Sequence, residues 1–465
     1  MVARHCLSDR LFYCYIAILC WAPLPLASNR AWSWNLLSLL CLALAAVAVL
    51  QSRDGEHSIL ARLKPHRLSI GLLAIVPSWA TLQTLPLPAS LLATLSSGHA
   101  FIAQMTQLPA MSISLDAAVT RQFAVLGWSF WLMFVLTLLL LDSPRRMRVL
   151  MFALVLSGLF QALYGSFMTL SGLEYGFFVP KTAYIGMATG TFVNRNHLAG
   201  YLELCLAVGI GLLIASMATQ QHRRWRDRLR AALDTMLGPK IRLRVFLALM
   251  VVALVLTRSR MGNTAFFVSL PLWGLLLMLL QRKFHRGAIL LFVSLMLVDF
   301  AIVGQWFGFD ELAERLQTTS AETESRDEVV RDSATMLQDF AVTGSGAGTW
   351  YTAFPRYRGD DIPYFYDHAH NDYLELGSDY GVIGMAALAL SVFYALYAAM
   401  KTMALRHDQL ALGVAFAASM GITCLLLHSF VDFNLQIPAN ALLFVVLLAF
   451  AHLSRNLPRE QHGNS

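Results

Sequence analysis

The feature that most constrains this chain is a series of apolar stretches, each roughly twenty residues long. A stretch of this length crosses a bilayer as a helix, because a helix satisfies its backbone hydrogen bonds internally. Hydrophobic residues make up 57% of the 465 residues and charged residues only 14%, which excludes an ordinary soluble domain. We predict an all-α polytopic membrane protein with about 12 transmembrane helices, at residues 11–27, 32–50, 68–86, 122–141, 149–170, 198–217, 244–257, 264–280, 287–306, 382–400, 410–427 and 438–452.

The basic residues fall mainly on alternate loops between these spans. Short cytoplasmic loops retain Lys and Arg during insertion, so this asymmetry indicates orientation. One set of loops, which includes both termini, carries 24 of the 35 Lys and Arg. We therefore expect both termini in the cytoplasm. Loop asymmetry and contact with anionic membrane lipids account for the net charge of +7, which does not indicate a nucleic-acid partner.

The longest polar stretch, residues 307–381, is predicted to form an extracytoplasmic loop. A connection this long exceeds the usual loop length and argues for a folded or functional element. Residues 310–316 and 326–340 space apolar residues among charges, a pattern typical of amphipathic surface helices. The glycine-rich residues 344–348 predict a turn, and they lack the lysine of a phosphate-binding loop.

These features divide the chain into four parts. Residues 1–170 contain predicted spans 1–5, and residues 171–306 contain spans 6–9 with two arginine motifs. Residues 307–381 form the polar loop, predicted to be a catalytic element, and residues 382–465 contain spans 10–12 and the cytoplasmic tail.

Polar residues converge on the extracytoplasmic boundary. Ionisable residues are costly inside a bilayer, and the two found in predicted spans, Glu203 and Asp299, lie near the outer ends of their helices. Five other polar residues are predicted at or just beyond the same boundary: Arg195, Arg258, Arg260, His370 and Asp432. Guanidinium groups suit bidentate contact with phosphate oxygens. Anchoring to lipid headgroups is the alternative, above all for Arg258.

A metal site is a weaker interpretation of the histidines. His368 and His370 would need further ligands, and the spacing of the nearby acids does not favour zinc or iron. The cysteines at 14, 20, 41, 205 and 424 lie in predicted spans, so neither a disulfide framework nor a cysteine metal site is indicated. We predict no metal and no cofactor. A non-catalytic packing role stays open for His370 and is the plainer interpretation of His368 and His197.

Five motifs carry a resemblance to a known family. They are Gly-Thr-Phe-Val-Asn-Arg-Asn-His at 190–197, Ser-Arg at 259–260, Gly-Ser-Gly-Ala-Gly-Thr at 344–349, His-Ala-His-Asn-Asp-Tyr-Leu at 368–374 and His-Ser-Phe-Val-Asp-Phe at 428–433. In this order, with these spans, the sequence resembles the O-antigen ligase superfamily. That superfamily includes lipopolysaccharide O-antigen ligases, O-antigen and exopolysaccharide polymerases, and O-linked oligosaccharyltransferases.

The resemblance implies a metal-independent, inverting glycosyltransferase of the bacterial inner membrane. It would transfer a glycan from an undecaprenyl-diphosphate carrier to a hydroxyl of a glycan or lipid A core acceptor on the periplasmic face. Arg195 and Arg260 would engage the carrier diphosphate, and His370 would be the catalytic histidine. Predicted substrate-binding residues are Asn194, Arg258, His368, Asn371 and Asp432.

Three alternatives remain open. A polymerase of the same superfamily, for O-antigen or exopolysaccharide, would show the same motifs. A transporter of lipid-linked glycans would place ionisable groups or broken helices near the bilayer midplane, whereas the polar residues here cluster at one face. A polysaccharide-binding scaffold would use an aromatic surface, which the residues between 350 and 366 could supply.

Overall fold

The structure, a computed structural model, describes residues 7–51, 59–216, 239–282 and 326–458. These residues are mainly helical. The α-helices are α1 (Asp9–Trp21), α2 (Ala31–Gln51), α3 (Ile59–Leu63), α4 (Arg67–Leu82), α5 (Ala89–Leu95), α6 (Ser97–Thr106), α7 (Ala117–Leu140), α8 (Pro144–Leu170), α9 (Arg195–Ala215), α10 (Pro239–Leu256), α11 (Arg260–Gln281), α12 (Arg326–Asp339), α13 (Trp350–Ala353), α14 (Asp372–Leu405), α15 (Gln409–His428) and α16 (Pro438–Asn456).

Short elements join these helices. Four 3-10 turns lie at Leu26–Ser28, Lys64–His66, Phe354–Arg356 and Asn434–Gln436. The strands among the described residues form two antiparallel pairs, β1 (Pro86–Pro88) with β2 (Ala110–Ser112), and β3 (Tyr175–Gly176) with β4 (Val179–Pro180).

Eight helices in the described part of the chain are long and apolar enough to cross a membrane, namely α2, α7, α8, α9, α11, α14, α15 and α16. Helices α1 and α4 lie at two further predicted spans but have only 13 and 16 residues. The 18-residue α10 carries three basic residues near its start. The all-α polytopic fold is confirmed, and the total of about twelve spans stays a prediction. The predicted span 287–306, Asp299 and residues 310–316 lie outside the described residues.

Helices α9, α15 and α16 form the centre of the bundle. Every residue of α9 after Arg195 is buried. Gly211 of α9 faces Gly413 of α15, and a Cβ at either position would overlap the carbonyl oxygen of the other. Small residues let two membrane helices approach this closely, so packing rather than helix amphipathicity holds the centre together.

Three of the sequence motifs are helix N-caps that lie at one end of the bundle. Asn194, Ser259 and Asn371 each accept a hydrogen bond from the first turn of α9, α11 and α14. The start of α14 contacts the end of α15, because the Asp372 amide donates to the Ser429 carbonyl at 3.0 Å. We call this end of the bundle the site end.

Helix α14 begins at Asp372 rather than at residue 382, and it contains a break at Gly381, where φ is +61°. The predicted turn at 344–348 is present and packs against this break. The Gln83 side chain fixes the junction, because its Nε2 donates to the Asp379 carbonyl at 2.8 Å and its Oε1 accepts from the Ala347 amide at 3.1 Å. The end of α4 therefore holds the polar loop against α14.

A second, smaller hydrophobic core lies beyond the site end. We call it the outer core; its buried residues are Val329, Met336, Phe340, Trp350, Ala353, Phe354, Ile362 and Ala369. The predicted amphipathic helix at 326–340 is confirmed as α12, which buries its apolar face here. The segment between β1 and β2 docks on the same core, because Ser96 Oγ donates to the Asp339 carbonyl at 2.6 Å. Part of the polar loop is therefore a folded element.

Candidate active site

The Asp432 carboxylate is the centre of a buried cluster at the site end. It lies just after α15 and is completely buried. Its Oδ1 accepts a hydrogen bond from the Phe433 amide at 2.8 Å. The same oxygen lies 3.4 Å from His197 Nε2 and 3.9 Å from His370 Nδ1. One carboxylate oxygen thus faces two imidazole rings that are far apart in the sequence.

The backbone and two aromatic rings hold the His370 imidazole in place. His370 has φ +50°, a left-handed conformation that is uncommon outside glycine, directly before the Asn371 cap. Tyr366 packs edge-on to the imidazole with ring centroids 5.7 Å apart, and Phe433 does so at 4.9 Å. Strained residues of this kind cluster at functional sites. The side chain is 11% exposed, so it borders solvent at one edge.

His370 has the protonation state that a general base requires. Burial, with a contribution from Arg326, lowers the pKa of His370 to about 4, so the imidazole is neutral at pH 7. Burial acts in the opposite direction on Asp432, but the surrounding histidines outweigh it and leave the Asp432 pKa below its usual value. A neutral imidazole therefore stands beside an ionised carboxylate.

His368 is in the opposite protonation state from its neighbour two residues away. Its Nδ1 lies 2.6 Å from Glu375 Oε1, and its ring stacks on Phe433 with centroids 4.1 Å apart. Burial lowers the pKa of His368, but the Glu375 carboxylate outweighs this and raises the pKa to about 9. His368 is therefore cationic at pH 7. Neighbouring titratable groups with pKa values driven apart are a pattern of acid–base sites.

A second buried layer supports the cluster from the bundle side. Glu203 Oε1 lies 2.9 Å from His428 Nδ1, and both side chains are buried. Asp372 accepts hydrogen bonds from Ser429 Oγ at 2.7 Å and from the Leu435 amide at 3.0 Å. Glu203, one of the two ionisable residues predicted inside a span, thus has a histidine partner at the end of α15.

The predicted arginines lie where helices begin or meet at the site end. Arg195 is the first residue of α9, and its Nη1 lies 2.9 Å from Met187 Sδ. Arg260 is the exposed first residue of α11, and Arg258 is an exposed residue of the turn before it. A helix N-terminus attracts anions through its free amides and dipole, which adds to the charge of Arg195 and Arg260.

Helix α11 packs against α9 close to the buried layer. A Cβ at Gly262 would lie 2.7 Å from Ala199 Cβ and 3.0 Å from Glu203 Oε1. The Ala188 amide, which precedes α9, donates to the Leu256 carbonyl at the end of α10 at 2.9 Å. The helix starts that carry the two arginines are thereby held side by side at the end that carries His370.

The two predicted asparagines have structural contacts. Asn194 Oδ1 accepts from the Asn196 amide at 2.9 Å, and Asn371 Oδ1 accepts from the Tyr373 amide at 3.0 Å. Asn371 Nδ2 also donates to the Phe430 carbonyl at 2.9 Å. Capping accounts for both residues in the structure, and their binding of substrate stays a prediction.

Sequence reasoning missed several members of the cluster. His197 was expected to be a packing residue, and its position directly after the Asn-Arg-Asn motif was the available signal. Asp372 and His428 also belong to motifs that were recognised without a role for these residues. Phe433, whose ring contacts His197, His368 and His370, gave no signal of its own. In the part of the chain that the structure describes, no group of three or more His, Cys, Asp or Glu side chains is arranged to hold a metal ion.

The fold and this cluster define a polytopic α-helical membrane protein with a histidine–aspartate site at one end of its bundle. Residues 245–389 match the family model described as O-antigen ligase. This match to part of the chain supports the resemblance to the O-antigen ligase superfamily that the motifs carry. The matched region contains Arg258, Arg260, His368 and His370, whereas Arg195 and Asp432 lie outside it. A search of curated proteins found no match.

Proposed function

We propose that this protein is a glycosyltransferase that moves a glycan from an undecaprenyl-diphosphate carrier to an acceptor hydroxyl on the periplasmic face. The observation that carries the proposal is the neutral His370 imidazole 3.9 Å from the ionised Asp432 carboxylate. The starts of α9 and α11, with Arg195 and Arg260, lie at the same end of the bundle. A base and an anion-binding region at one end are what this transfer requires.

The chemistry begins at the acceptor. Because His370 Nδ1 faces Asp432, His370 Nε2 is the nitrogen that accepts the hydroxyl proton as the acceptor oxygen attacks the anomeric carbon. The bond from this carbon to the diphosphate oxygen breaks, and the lipid diphosphate leaves with the electron pair. This single displacement inverts the anomeric centre. Asp432 stabilises the imidazolium that forms, because its charge is held next to the ring.

The arginines act on the leaving group. A lipid diphosphate needs its growing negative charge balanced as the glycosidic bond breaks, and guanidinium groups at helix N-termini supply this positive charge. The planar fork of arginine also fixes the orientation of phosphate oxygens, which an ammonium group does not. Arg195 and Arg260 thus take the role of diphosphate ligands.

The distribution of basic residues supports a periplasmic site. At the end of the bundle opposite to the site, Arg146 forms an ion pair with Asp9 at 2.7 Å, and Arg148 donates to the carbonyl of Ala215, the last residue of α9. Arg406 donates to the Leu457 carbonyl just after α16 at 2.8 Å. Positive charge at this end is typical of a cytoplasmic face.

The test uses purified protein and a lipid-linked oligosaccharide, with and without a lipid A core acceptor, followed by sizing of the products. One discrete addition to the core indicates a ligase, and a ladder grown on the carrier indicates a polymerase. We expect His370→Ala to lower transfer by about 10²–10⁴-fold, because the base is lost. Arg260→Lys should also lower transfer severely, since charge alone does not replace the fork.

Matched controls come from the same chain. His407→Ala removes an exposed histidine at the opposite end, and Arg145→Lys changes an exposed arginine at the start of α8. Both variants should transfer glycan at the wild-type rate. Near-normal product from correctly folded His370→Ala would remove this residue as the base, and full activity of Arg260→Lys would make it a lipid anchor.

A further inference from the structure

We propose that three exposed aromatic rings of the polar loop form a binding site for the sugar rings of a glycan substrate. We call them the aromatic platform: Tyr351, Tyr364 and Phe365 are 51%, 62% and 69% exposed. The rings of Tyr351 and Phe365 lie 5.5 Å apart at an angle of 73°. Exposed aromatic clusters are costly in water and mark binding surfaces. The inference rests on the proposed function and extends it to the glycan beyond the reacting sugar.

The outer core supports the platform from below. Trp350, next to Tyr351, is buried and stacks on Phe354 with ring centroids 4.2 Å apart. Its Nε1 donates to Ser333 Oγ at 3.1 Å. Before Tyr364 and Phe365 in the chain, Ile362 is buried in the same core. Both segments that carry platform rings are thus anchored to a folded base, which limits the entropy lost when a ligand binds.

The platform leads directly into the candidate active site. Tyr364 and Phe365 are followed in the chain by Tyr366, whose ring packs edge-on to His370 at 5.7 Å. A residue spans at most about 3.6 Å of chain, so Phe365 lies within a short oligosaccharide's length of the imidazole. A glycan whose end reacts at His370 would therefore pass over Phe365 and then over Tyr351.

The surroundings of the platform favour a sugar over a lipid chain. Exposed Arg358 and Asp361 lie in the chain between Tyr351 and Tyr364, and Asp361 forms an exposed ion pair with Arg331 at 2.9 Å. Contact with hydrocarbon would desolvate these charges at high cost. A sugar ring presents apolar C–H groups on its faces and hydroxyl groups on its edge. The faces suit the negative face of an aromatic ring, and the hydroxyls suit the neighbouring charges.

The experiment measures transfer by purified Phe365→Leu, Tyr351→Leu and wild-type protein while the glycan length is varied. One arm uses lipid-linked donors with one sugar or with a long glycan, and the other varies the acceptor glycan in the same way. We expect each variant to raise KM for the long glycan by about fivefold, which corresponds to about 1 kcal/mol of stacking energy on one ring. KM for the single sugar and kcat should stay unchanged. The arm in which KM rises shows whether the platform binds the donor glycan or the acceptor glycan.

Leucine is chosen because it keeps the apolar character and removes the aromatic face. Phe365→Trp keeps an aromatic face and should therefore have the wild-type KM. If Phe365 were a membrane anchor or had a purely structural role, tryptophan and leucine at this position would give the same KM. Phe393→Ala, which removes a 66% exposed ring of α14, is the control for aromatic loss elsewhere. Equal behaviour of Phe365→Leu and wild type on long glycans overturns the platform, as does an equal loss on short and long substrates. If the wild-type protein transfers no glycan from any lipid-linked donor, the proposed function fails instead.

Discussion

Replacing Asp432 with asparagine isolates the effect of one negative charge on the candidate base. Asparagine keeps an oxygen that can accept from the Phe433 amide, so the local fold is preserved. At 3.9 Å and an effective dielectric constant of about 20, the carboxylate stabilises an imidazolium at His370 by about 4 kcal/mol. That amount corresponds to a loss of roughly 10³-fold in transfer rate if the full charge forms in the transition state.

The direction of the pKa shift at His370 shows that the expected loss of rate does not come from a change in the resting charge of the imidazole. Losing the carboxylate lowers the pKa of His370 from its value of about 4, so the imidazole stays neutral at pH 7 in the variant. The rate should therefore fall at neutral pH while binding of the lipid-linked donor is unchanged, and a more alkaline buffer should not restore it.

The assay is the initial rate of glycan transfer by purified Asp432→Asn protein between about pH 5 and about pH 9. Asp360→Asn, which removes an exposed carboxylate of the polar loop, is the matched control and should behave as wild type. A rate for folded Asp432→Asn within about threefold of wild type, equivalent to less than 1 kcal/mol, would refute the role of Asp432.

Two further predictions concern stability. Gly381→Ala should lower the free energy of unfolding by about 1–3 kcal/mol, because φ is +61° and a Cβ would lie 2.5 Å from the Gly344 amide nitrogen. Gly71→Ala, whose Cβ would meet open space, should not lower the free energy of unfolding. Equal melting temperatures of Gly381→Ala and wild type would contradict the argument. The raised pKa of His368 stabilises the fold below its unfolded value of about 6.5, and this contribution is lost as pH rises through about 9. The melting temperatures of wild type and Glu375→Gln should therefore converge as pH rises. A difference that stays constant with pH would contradict a stabilising His368–Glu375 ion pair.

The helices could be predicted from the sequence because the bilayer makes each span locally visible. Apolar blocks of the right length located α7, α8 and α9 within a few residues. The start of α14 was placed too late, because its first turns contain Asp372 and Glu375. Asp372 is buried against Ser429 and the Leu435 amide, and Glu375 against His368 and the Ala369 amide. Local hydropathy cannot show this compensation.

The site was predictable as a region but not as a set of contacts. Topology placed Arg195, Arg260 and His370 on one side, since each follows or precedes a span at the same boundary. The shared contact of His197 and His370 with Asp432 joins residues far apart in sequence, and spacing along the chain carries no information about it. The family motifs identified the segments, whereas tertiary packing decides which side chains meet.

The contacts of Gln83 have a consequence for how this protein can be recombined with its relatives. One amide side chain from the N-terminal third, where no family motif was found, joins the polar loop to the break in α14. A chimera that exchanges residues 1–170 alone would keep every catalytic candidate. It would change one side of the contact between Gln83, the polar loop and α14. We expect such chimeras to be active only when the segment around Ala347 is exchanged together with the N-terminal part that carries Gln83.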